Sequence, residues 1–206
     1  MIEQVLQNVL KRHRLKRAVA SVLTQVVVDP HDPGFHHPTK PIGPVFNANH
    51  ARLLQKKGHA VIKVVGGYRR VVASPKPVRI DDVNVIHVLL EKGVIVIAAG
   101  GGGIPVVQKK GRLEGVEAVI DKDLASAKLA TDIHADELII VTSVPCVYLD
   151  YGKKLQRSVK RLSVDEAQLY LTQGQFPEGS MGPKVEAAIQ FLKRGGKKVI
   201  ITSPEY

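Results

Sequence analysis

Tryptophan is absent from this 206-residue chain, cysteine occurs once, and Phe, Trp and Tyr together supply 4% of the residues. A single cysteine, Cys146, cannot close an internal disulfide, so the expected compartment is a reducing cytoplasm. So few aromatics leave no stacking platform for single-stranded nucleic acid. No apolar run approaches the ~20 residues that a membrane-spanning helix needs. Met1 to Arg17 place their cations after the apolar positions, the reverse of a secretory signal. The glycine spacings of the Walker loop and the dinucleotide fingerprint are missing. His31, His36 and His37 match no standard metal motif, and no metal-ligating residue is assigned.

What remains is an ordinary globular balance, 44% apolar and 24% charged, in a chain long enough for one substantial core. The formal net charge is +11. Its densest stretch, Lys11 to Arg17, reads as the last turn of a first helix, where cations offset the dipole. No nucleic-acid motif accompanies it, so neither nucleic acid nor a membrane is an expected partner.

One pattern recurs: an amphipathic stretch, a glycine, then a short solid apolar run. Leu53 to Gly58 leads into Ala60-Val61-Ile62, Val88 to Gly93 into Val94 to Ala99, and Ile189 to Gly196 into Val199-Ile200-Ile201. Each glycine stands where a helix ends in a left-handed residue. The apolar runs, with Leu138 to Val141, predict strands buried on both faces of a parallel sheet. Ser163-Val164-Asp165-Glu166 has the spacing of a capping box. The fold class is α/β, a three-layer α/β/α sandwich with a mainly parallel sheet, in a single domain over 1–206.

Two regions interrupt the pattern. Residues 29–46 hold Pro30, Pro33, Pro38, Pro41 and Pro44 and predict an irregular loop. Residues 60–73 predict a hairpin about Gly66-Gly67. Together they suggest a small protruding subdomain over 29–76.

Several residues have the character of a site. Gly100-Gly101-Gly102-Gly103 follow a buried-strand pattern, where backbone amides can approach an anion, or where a tight turn needs positive φ. Asp121-Lys122-Asp123 opens an Ala-rich helix after Val116 to Ile120, read as a strand; the triplet either places a lysine on phosphate or simply caps the helix. Gly179-Ser180-Met181-Gly182-Pro183-Lys184 precedes another helix, with Ser180 as N-cap. The cation of Lys184 opposes that helix's dipole, which suggests an anion nearby. Lys40 lies within the proline loop, and Cys146, between Pro145 and Val147, reads as a buried structural thiol.

Taken together the segments resemble the carbamate kinases, within the amino-acid kinase family. The resemblance is carried by Thr24 to Asp29 with Asp32-Pro33-Gly34-Phe35, by Pro38 to Pro44, and by Arg69 to Val72 with Ser74-Pro75-Lys76-Pro77. It continues through Ala99 to Pro105, Gly115 to Ala125, Val147 to Gly152, and Gly174 to Ile189. The resemblance implies reversible phosphoryl transfer, ATP plus carbamate giving ADP plus carbamoyl phosphate, with Mg²⁺, in a cytoplasmic homodimer of arginine metabolism. It implies that Lys122 and Lys184 clamp the phosphoryl group, that Asp123 orients them, and that Lys40 reaches toward the acceptor. Tyr151 and Met181 match positions near the nucleotide, and Gly100 to Gly103, Asp121 and Ser180 complete the expected phosphate side. The family's opening strand, its Gly-Gly-Asn and Gly-Asn-Gly loops and its C-terminal end are not matched. Ser143 and Pro145 stand where acidic residues are expected. A non-catalytic nucleotide-binding or regulatory remnant is therefore the alternative expectation.

Overall fold

Helices alternate with short strands in the computed structural model, which describes residues 1–177 and 179–205. Along the chain run α1 (Ile2–Arg12), β1 (Val19–Ser21), β2 (Gln25–Val28), a 3-10 turn (Pro33–Phe35), β3 (Lys40–Phe46), α2 (Ala48–Lys56), β4 (Val61–Val64), β5 (Gly67–Val72) and β6 (Pro77–Ile80). There follow α3 (Val83–Glu91), β7 (Ile95–Ile97), β8 (Ile104–Lys109), β9 (Arg112–Gly115), α4 (Lys122–Asp132) and β10 (Glu137–Val141). The last elements are β11 (Val147–Leu149), β12 (Arg157–Val159), α5 (Val164–Thr172), α6 (Met181–Lys193) and β13 (Lys198–Thr202).

Local chemistry accounts for the boundaries. Gly93 takes φ 73° after α3, and the Val94 amide turns back to Leu89 O at 3.0 Å, which closes the helix and launches β7. Asn47 caps α2 by accepting from the His50 amide at 2.9 Å. Ser163 and Glu166 form the reciprocal capping box at the start of α5.

β1 pairs with β7, β2 with β8, and β10 with β13, all parallel. The remaining ladders are antiparallel: β6 on β2, β9 on β8, β12 on β11, and a separate sheet in the order β3-β5-β4. The chain is thus α/β as expected. α4 joins two apolar clusters, because Ala125 packs with Val26, Ile80 and Ile120 while Leu124, Ala127 and Ala130 pack with Leu138, Ile140 and Phe191. Its alanines carry little side chain, so α6 and β6 can approach closely. A third cluster, around Val147, Leu149, Phe176, Val185 and Ile189, seats α5 and α6 against the β11–β12 hairpin.

Several expectations need correction. The apolar run of β10 is not buried on both faces: Leu138 and Ile140 turn to α4 and α6, whereas Ile139 and Val141 are 57% and 59% exposed. Strand side chains alternate, and among the described residues only one face of β10 is covered. Residues 40–46 are not irregular, since they form β3 despite Pro41 and Pro44. A strand at the edge of its sheet tolerates proline, and its register shifts between Ile42 and Phe46. Val116 to Ile120 form no strand; only Ala118 bridges Ala73 before the chain enters α4. Cys146 is half-buried in a cavity wall rather than enclosed.

Candidate functional site

The site begins at the first turn of α4. Asp121 accepts the amides of Asp123 (2.9 Å) and Leu124 (3.4 Å) with one carboxylate oxygen, so the capping alternative read from the sequence is real. Its other oxygen accepts Lys40 Nζ at 2.6 Å, from the first residue of β3. Burial pushes the Asp121 carboxyl up. The hydrogen bond and charge of Lys40, with the two amides, outweigh it and hold the group below its ordinary value.

Two residues on, Asp123 receives Lys184 Nζ at 2.8 Å, with Lys122 Nζ at 3.6 Å from the same oxygen. Lys184 is 8% exposed and lies in the first turns of α6. Lys40, Lys122 and Lys184 thus come from three distant parts of the chain and converge on Asp121 and Asp123. Three ammonium groups against two carboxylates leave one positive charge, beside the amide ends of α4 and α6, where helix dipoles favour anions.

The glycine run lies against this cluster. A Cβ on Gly102 would stand 2.1 Å from the carbonyl oxygen of Ile120, the residue before Asp121, and one on Gly103 would stand 2.4 Å from Val26 Cγ2. Close packing therefore requires these two glycines, whereas Gly100 and Gly101 face open space. The turn is held by Thr24, whose buried hydroxyl accepts the Ala99 amide at 2.8 Å, with Ala99 itself at φ 60°.

Beyond Lys184 opens a cavity of about 340 Å³, lined by Thr142, Ser143, Val144, Tyr148, Tyr151, Pro177, Gly179, Ser180, Met181 and Lys184. The rings of Tyr148 and Tyr151 meet at 5.8 Å between centroids, and Met181 supplies a soft apolar surface. Lys184 belongs to both the cavity and the lysine cluster, so a ligand seated in the cavity has an anion-binding end. Ser180 lines the cavity but makes no side-chain cap to α6, contrary to the expectation of an N-cap. Sequence reasoning overlooked Tyr148 and Thr142 as cavity residues. A larger cavity of about 670 Å³, between α5, α6, β13 and the β11–β12 hairpin, is lined by none of the predicted site residues.

Among the described residues no group of three His, Cys, Asp or Glu can hold a metal ion. The carboxylates of Asp121 and Asp123 are already engaged by lysines. The cluster therefore suits an anion that brings its own cation. It offers charge neutralisation and positioning, the two contributions that dominate phosphoryl transfer.

Comparisons with known proteins bear on the fold and the family. Residues 44–203 match the amino acid kinase family. The chain is 46% identical over 207 residues to a carbamate kinase of Pyrococcus horikoshii, and 50% identical over 209 residues to the carbamate kinase-like protein YahI of Escherichia coli. Each match covers 100% of this chain and 66% of the relative, so the chain spans just under two thirds of their length. A solved carbamate kinase of Giardia lamblia bound to AMP-PNP superposes with a TM-score of 0.87 at 38% identity, covering 98% of this chain and 65% of that one. From the fold and from these matches together, the chain belongs to the amino acid kinase family.

Proposed function

We propose that the chain carries the nucleotide and phosphoryl-transfer apparatus of a carbamate kinase, moving a phosphoryl group between ATP and carbamate to give ADP and carbamoyl phosphate. The observation that carries this reading is the position of Lys184, which closes the 340 Å³ cavity at one end and belongs to the lysine–aspartate cluster at the other. An adenine nucleotide would place its base beside Tyr148, Tyr151 and Met181 and extend its phosphates, with Mg²⁺ travelling as part of MgATP, toward Lys184 and Lys122. That the Giardia lamblia relative was solved with AMP-PNP supports the choice of ligand.

In this reading Lys122 and Lys184 neutralise the oxygens of the group in transfer, and Asp123 keeps both ammonium groups aimed at one point. Lys40 supplies a third cation from the acceptor side, and the exposed backbone at Gly101 approaches the phosphate from the sheet, the Gly100 amide being engaged by Ala98 O at 2.7 Å. No covalent intermediate is needed, because alignment and charge stabilisation carry the step. The unit 29–76 acts as a subdomain that brings Lys40 to the site within a single domain over 1–206. A cytoplasmic homodimer working in arginine metabolism belongs to the same reading. Its supports are the single free thiol and the exposed apolar Ile2, Val5, Val85 and Val88 on α1 and α3.

Titration of the chain with AMP-PNP, together with ATP formation from carbamoyl phosphate and MgADP, tests the proposal. Binding that Met181→Arg abolishes, accompanied by turnover, supports it. Binding without turnover would point instead to a non-catalytic nucleotide-binding member of the family.

A further inference from the structure

We propose that Asp121 is the positioning residue for Lys40, and that this pair holds the β3-β5-β4 sheet in place against the first turn of α4. Its catalytic consequence rests on the phosphoryl-transfer reading; the mechanical one does not.

Lys40 opens β3, and its ammonium crosses to a partner 81 positions away in sequence. The side chain of Asp121 is only 10% exposed and that of Lys40 32%, so the contact is partly buried. Among the described residues the other charged tie between this sheet and the segment leading into α4 joins Arg70 to Glu117, whose side chain is 77% exposed. Exposed pairs of that kind contribute little. Among the described residues the backbone contributes one bridge, Ala73 to Ala118. Lys40–Asp121 is therefore the better buried of the two charged ties.

Asp121 divides its work between two oxygens: one caps α4 and the other holds Lys40. With both oxygens engaged by protein donors, it is placed to hold a cation beside a bound phosphate rather than to meet the phosphate itself. The division also separates the two roles experimentally. Asn is as good an N-cap as Asp, since its amide oxygen accepts the same two backbone amides. Its NH₂ group can only donate, so it cannot receive the Lys40 ammonium. Asp121→Asn therefore keeps the helix start and removes the anchor.

The test uses spin labels at Lys57→Cys, after α2 beside the small sheet, and at Arg194→Cys, after α6, both exposed, in a Cys146→Ser background. Pulsed electron–electron distance measurement on the ligand-free chain should give a wider distribution in Asp121→Asn than in the parent. Lys40→Met should widen it equally, and the double variant no further, because both remove one interaction. An unchanged distribution, or additive widening, overturns the proposal. On the catalytic side, Asp121→Asn should lower kcat/KM for carbamoyl phosphate by ~10²-fold, the scale of a displaced positioning group, and leave AMP-PNP affinity unchanged. A parent chain without turnover would sink the catalytic reading alone, and the distance distributions would still decide the role of Asp121. A fall in AMP-PNP affinity matching the fall in kcat/KM would contradict positioning through Lys40.

Discussion

Lys184 and Asp123 meet at 2.8 Å, both nearly buried, with the lysine in the first turns of α6 and the aspartate in the first turn of α4. Each helix thus presents its positive end to a cluster that already holds three ammonium groups. Two dipoles and three cations against two carboxylates is a poor arrangement for stability alone. It becomes favourable when a multiply charged anion arrives. Lys184→Ala should therefore lower phosphoryl transfer by ~10²-fold or more, the scale seen when one preorganised electrostatic contact is lost. Lys122→Ala should act in the same direction, and steady-state rates of both variants check the pair.

The glycine run divides into two halves with different jobs. Gly102→Ala must displace the Ile120 carbonyl from 2.1 Å and adopt φ 132°, so it should destabilise the chain by ~1–3 kcal/mol. Gly101→Ala meets nothing within 4 Å and should leave the urea midpoint where it was. Equal midpoints for the two variants would contradict this division.

Thr24 connects the turn to the core. Its hydroxyl donates to Val22 O at 2.9 Å and accepts the Ala99 amide at 2.8 Å, with the residue only 3% exposed. Thr24→Val leaves the amide without that acceptor, at a cost of ~1–3 kcal/mol. Amide hydrogen exchange at Ala99 should accelerate in the variant, and unaltered exchange would show that the hydroxyl does not hold the turn.

Much of this organisation was legible in the sequence, and the exceptions have physical causes. Glycines at helix ends act locally, so the breaks after α2, α3 and α6 could be read residue by residue. Lys184 was legible because a cation near a helix N-terminus is out of place on local grounds. β3 was hidden because Pro41 and Pro44 are turn signals unless a strand lies at a sheet edge, and only pairing with β5 reveals that edge. The exposure of Ile139 and Val141 was hidden because an apolar run does not say which layer covers each face. The Lys40–Asp121 contact spans 81 positions, and no spacing rule reaches that far.

The depressed Asp121 carboxyl gives a pH dependence of definite sign. Its folded pKa lies below the unfolded value of ~3.9, so its contribution to stability is present above about pH 4 and is lost as pH falls through the folded value. The gap in urea midpoint between the parent and Asp121→Asn should therefore be steady near neutrality and shrink on acidification below ~pH 4. A gap that widens in acid would contradict the assigned pairing.

The most direct measurement is the initial rate of ATP formation from carbamoyl phosphate and MgADP by the purified chain, with Lys184→Ala as its control. The parent should form ATP, and the rate should be reduced ~10²-fold or more in the control. A folded, AMP-PNP-binding parent that forms no ATP, or a control that matches the parent's rate, would contradict it.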